Sequence, residues 1–146
     1  MAEVAQFHYV NVFDHRGFLH RMMSELAGDA LISFEGALSH CTFDPAVVVA
    51  RDEHGLLKRS TDWPKVDFVV LKLETLTTEQ IFKQIDRWRV HVRHVQIEKA
   101  GTLQLVALNN FQKGNVITGP LISRELLDAL MKSRVIYEVE PTQQTP

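Results

Sequence analysis

The residues with the most chemical potential are seven histidines and a single cysteine, Cys41. The densest group is His91-Val92-Arg93-His94. On a regular strand His91 and His94 point to opposite faces. The apolar positions, however, change phase here, from Val90 and Val92 to Val95 and Ile97. That change predicts a β-bulge near Arg93, a device that re-aims side chains. With the bulge, both imidazoles can face one way, which makes His91 and His94 candidate metal ligands alongside His40 or Cys41 from another strand. No ligand spacing supports a zinc site, and one cysteine does not complete the usual structural sets. The plainer expectation is two polar residues on an edge or solvent face, with no metal and no cofactor.

Cys41 lies beside His40, so the two are candidate catalytic residues of a small enzyme. Such a cysteine needs a lowered pKa, a base at hydrogen-bond distance and an oxyanion site. Lone cysteines are more often buried packing. Asp14, His15 and His20 surround the start of the first expected helix. His15 and His20 are five residues apart, about 140° around a helix axis, and so are not an i, i+4 ligand pair. Asp14 reads as a helix cap, with the two histidines exposed.

A basic stretch runs through Lys83, Arg87, Trp88, Arg89 and Arg93. Arg89, His91 and Arg93 alternate, so one strand face can offer three nitrogen-rich groups to an acidic partner. Together with Phe111, which stands alone among polar neighbours, they are the candidate binding residues. The competing expectations are a charged, solvated edge for the arginines and a Phe111 that tucks back onto the sheet. Trp88 continues an apolar helical stripe and is expected in the core. Nucleic acid is disfavoured as a partner, because the net charge is −2 and phosphate neutralisation needs a basic excess.

No Gly-rich phosphate loop, nucleophile elbow or paired Cys-x-x-Cys occurs. The start of the chain carries Glu3 and does not read as a signal peptide. Apolar runs fall far short of the roughly 20 residues that cross a bilayer. One unpaired cysteine fits a reducing compartment. The expectation is a cytoplasmic protein with no membrane association.

The elements that must position these groups follow from periodicity. Phe7 to Phe13 reads as a buried strand, followed by a helix whose stripe is Phe18, Leu19, Met22, Met23, Leu26 and Ala27, stopped by Gly28. Ala30 to Leu38 is a second strand. Ala46–Arg51 and Leu56–Ser60 are expected to form a hairpin around Gly55. Val66 to Leu73 is a central strand. Thr77 and Gln80 have capping-box spacing, with Leu76 and Ile81 at the staple positions of a second helix. Val90–Glu98 and Thr102–Leu108 are strands joined at Lys99-Ala100-Gly101. Residues 109–120 read as a long polar loop. Ser123 caps a third helix, and Val135, Tyr137 and Val139 form a closing strand. Residues 141–146 are expected to be a disordered tail.

These elements define a single α+β domain over residues 1–140. It has a mostly antiparallel sheet of six to eight strands and three helices. The function expected of it is non-catalytic protein binding, as in an immunity or antitoxin-type protein that neutralises a toxin. The alternatives are a small enzyme with a His/Cys or zinc site, and a homo-oligomeric structural or regulatory protein.

Overall fold

The computed structural model describes residues 6–142. Eight strands and three helices alternate along the chain: β1 (Phe7–Val12), α1 (His15–Leu26), β2 (Ala30–Ala37), β3 (Val48–Ala50), β4 (Asp67–Leu73), α2 (Thr78–Ile85), β5 (His91–Lys99), β6 (Thr102–Ala107), β7 (Val116–Thr118), α3 (Arg124–Lys132) and β8 (Ile136–Thr142). The strands form one sheet in the order β3-β4-β2-β5-β6-β7-β1-β8. Every neighbouring pair is antiparallel. The α+β class read from the hairpin spacing is the class observed.

All three helices pack on one face of the sheet. Asp14 caps α1 by accepting the Gly17 N–H at 2.9 Å, and the helix buries Phe18, Leu19, Met22, Met23 and Leu26. Their side chains join Ile81, Phe82 and Ile85 of α2 and Leu127 and Leu130 of α3 over Ile32, Phe34, Val95, Ile97 and Leu105 of the sheet. α1 also carries the chain across the sheet, since three strands separate β1 from β2. The β5–β6 turn places Ala100 and Gly101 at φ +55° and +74°, the pair of left-handed residues that a tight hairpin requires.

The opposite face of the sheet is covered on one side by an irregular segment, and here the expected hairpin is not formed. β3 pairs with β4, while Gly55 and Leu56 make only an isolated turn closed by the His54–Leu57 bridge. Leu57 drops into a second apolar cluster with Phe68 and Val70. Side chains of the sheet then hold the segment down. Gln96 accepts the Lys58 N–H at 3.1 Å. Glu35, 1% exposed, accepts the N–H groups of Ser60 and Thr61 at 2.8 and 3.1 Å. The backbone that would have paired in a hairpin is satisfied by these side chains instead.

Four other expectations change. The Thr77 hydroxyl turns back to Glu74 and makes no cap to the helix, and Leu76 is 96% exposed, so neither capping box nor staple exists. The 109–120 segment contains β7, which pairs between β6 and β1. A register shift between Asn11 and Val12 brings Ile136 into the core in place of Tyr137, with Val135 and Val139 partly buried against it. Finally, β8 continues through Pro141 and Thr142, which pair with His8 and Phe7. The rest of the expected tail, 143–146, lies outside the described residues, as does Glu3.

Candidate functional site

The predicted bulge is present at Arg93. Glu35 pairs with His94 and Gly36 with Val92, leaving Arg93 as the extra residue of β5. The bulge brings Val90, Val92, Val95 and Ile97 to the same core despite their change of phase. Gly36 permits it, because a Cβ there would collide with the His91 carbonyl and lie 3.0 Å from Arg93 N. The bulge also frees the Arg93 carbonyl to accept the Asn110 N–H at 2.7 Å.

His94 is buried, and both its ring nitrogens are engaged. Nδ1 accepts the Asn109 N–H at 3.1 Å, so the ring proton sits on Nε2, which donates to Thr61 Oγ1 at 2.8 Å. Burial pushes its pKa below the ordinary value, with Glu35 opposing and Arg93 reinforcing the shift. No lone pair is left for a metal. His91 is exposed and does not join it. Among the described residues no group of three or more His, Cys, Asp or Glu side chains is placed to hold an ion.

Cys41 is half-buried, with its thiol 3.6 Å from the Gln84 carbonyl. Burial pushes the thiol pKa up, against the pull of Arg87 and with that of Asp67. A thiol held in its protonated form is a poor nucleophile. His40 is exposed. Its carbonyl takes the Arg87 guanidinium at 3.1 Å, and among the described residues no hydrogen bond joins its ring to Cys41.

The remaining candidates meet solvent where α2 gives way to β5. The helix stops at Ile85, with Asp86 as its C-cap, and the following turn swings Trp88 out of the stripe it continues in sequence. Trp88 is 81% exposed, not core. The Arg89 guanidinium lies over its ring, 4.8 Å from the centroid. Arg89 sits in this turn and not on the strand, which starts at His91. Arg89, His91 and Arg93 are all exposed, and none forms an ion pair among the described residues. The adjoining Asp86 carboxylate is held by Arg16 at 2.7 Å. Phe111 takes the other path. Asn109, Asn110 and Phe111 adopt φ of +51°, +57° and +62°, a left-handed turn that returns the ring to the core against His15 and Phe18, with centroids 5.3 and 6.1 Å away.

Two features had no sequence signal, because each joins segments far apart in the chain. A groove of about 420 Å³ between α1 and α2 is bridged by Arg16–Asp86 and by His20–Glu79 at 2.5 Å. A cavity of about 350 Å³ brings Arg51 and Arg59 beside Ser39, Cys41 and Asp67. Among the described residues no helix is long and apolar enough to cross a membrane. No protein-family model matches the chain, and neither curated proteins nor solved structures give a match.

Proposed function

We propose that the chain is a non-catalytic protein-binding module that docks an acidic surface of a partner on the corner formed by Trp88, Arg89, His91 and Arg93. The observation that carries this reading is the indole of Trp88, 81% exposed with the Arg89 guanidinium stacked on it. Tryptophan and arginine dominate the energetic centres of protein interfaces. A guanidinium already seated over an aromatic face is pre-ordered, so less side-chain freedom is lost on docking. The free charges of Arg89 and Arg93 select the sign of the partner.

In its narrower form the reading is an immunity-type protein acting in the cytoplasm, where Cys41 stays a free thiol. A toxin neutralised at this corner presents an acidic face to it, which disfavours a nuclease contacted through its cationic substrate cleft. The test is affinity capture from the native lysate followed by native mass spectrometry, using the wild-type chain and the double variant Trp88→Ala/Arg89→Ala. The reading requires a stoichiometric second polypeptide on the wild type and its loss from a variant with unchanged thermal unfolding. A bare wild-type chain, or equal capture by both, refutes it.

A further inference from the structure

The cavity that contains Arg51 and Arg59 shares no lining residue with the Trp88 corner. Arg59 is fixed within it. Its side chain is 15% exposed, and Nε pairs with Asp52 at 3.1 Å. Its Nη1 donates to the Val66 carbonyl at 2.6 Å, and the guanidinium lies 5.2 Å from the Phe68 ring centroid. These contacts engage Nε and Nη1, and among the described residues Nη2 has no hydrogen-bond partner. Arg51 is exposed and has neither an ion pair nor a hydrogen bond among the described residues. Asp67 is committed in part to the Leu38 N–H, at 3.1 Å. Ser39 and Cys41 are the other polar residues of the lining.

The charges define what fits. Arg59 is already balanced by Asp52, and Asp67 places a negative charge beside the opening. Arg51 remains as the unpaired cation, and Arg59, with its unused donor, lines the same cavity. Such a site matches a single negative charge with planar acceptor geometry, while a dianion would be repelled by Asp67. A volume of about 350 Å³ falls at the small end of ligand cavities.

We propose that this cavity binds a small, hydrophilic monocarboxylate, with Arg51 supplying the charge and Arg59 the fixed donor. The assignment goes beyond the docking reading and stands independently of it.

The experiment is an NMR titration of the isotope-labelled full chain with acetate, with inorganic phosphate and chloride compared at equal ionic strength. Acetate is expected to give saturable shifts in the amides of Leu38–Phe43 and Val66–Val69, chloride none, and phosphate to bind no tighter than acetate. Arg51→Gln is expected to weaken acetate about tenfold, the loss of one charge-assisted bond. Arg51 is exposed and unpaired, so this variant keeps the fold. Shifts that do not saturate, a preference for phosphate, or undiminished acetate binding by Arg51→Gln would each overturn the assignment.

Discussion

The backbone N–H of Asn109 donates to Nδ1 of His94 at 3.1 Å, and this bond sets both a turn and a protonation state. It anchors the left-handed segment 109–111 to β5 at the bulge. It also requires an unprotonated Nδ1, so His94 is neutral in the fold. His8 is a second buried histidine, 3% exposed, whose pKa is lowered by burial and by Arg124, against the pull of Asp128.

A pH dependence of stability follows. Both histidines have folded pKa values below the unfolded value of about 6.5. Above that pH both states are neutral and stability is complete. As pH falls through about 6.5 the unfolded chain takes up protons first, and stability declines until the depressed folded values are reached. Each histidine contributes a slope of at most about 1.4 kcal/mol per pH unit within that window. Urea unfolding between pH 7.5 and 5, values chosen to span about 6.5, should show the decline, and His94→Gln, which retains an acceptor and a donor but does not titrate, should reduce it. An unchanged slope in that variant would remove His94 from the account.

Gly36→Ala tests the bulge. Its Cβ would meet the backbone of His91, Val92 and Arg93 rather than a flexible side chain. A destabilisation of about 1–3 kcal/mol is expected, with amide shifts concentrated at residues 91–94 and 109–110. A neutral substitution would mean that the two strands can separate there at little cost.

Glu35→Ala tests how the outer segment is held. It leaves the Ser60 and Thr61 amides without their acceptor, at an expected cost of about 1–3 kcal/mol. Trypsin should then cut at Lys58, Arg59 and Lys65 faster than in the wild type, while the protection of α1 and α2 persists. Equal protection of the segment would show that Leu57 and the Gln96 and His94 contacts hold it without Glu35.

The parts of the fold that were legible in sequence are those governed by local periodicity. The stripe Phe18–Leu26, the Gly28 stop and the phase change around Arg93 each predicted the element or irregularity that is present. What failed depended on distant partners. The 46–60 hairpin was displaced because Glu35, Gln96 and His94 offer its backbone acceptors and a hydroxyl contact from strands far away in sequence. β7 is three residues long and carries no pattern of its own. Trp88 kept the spacing of a helix that had already ended at Ile85, so spacing alone put it inside. The candidate site divides in the same way. Arg89, His91 and Arg93 are each exposed, but the single strand face expected for them is lost because Arg89 precedes β5 and Arg93 is the bulge residue, whereas Arg51 and Arg59 come together only through folding.

In the proposed reading Trp88 and Arg89 form an interface and not a structural contact. Calorimetric titration of the partner captured by the wild type tests this most directly, using Trp88→Ala, Arg89→Glu and Arg93→Glu. Trp88→Ala is expected to keep stability within about 0.5 kcal/mol of wild type, with its affinity reduced by about 2 kcal/mol or more. The two charge reversals are expected to bind more weakly and with less salt dependence. Full affinity in all three variants would contradict that reading and place the binding surface elsewhere on the molecule.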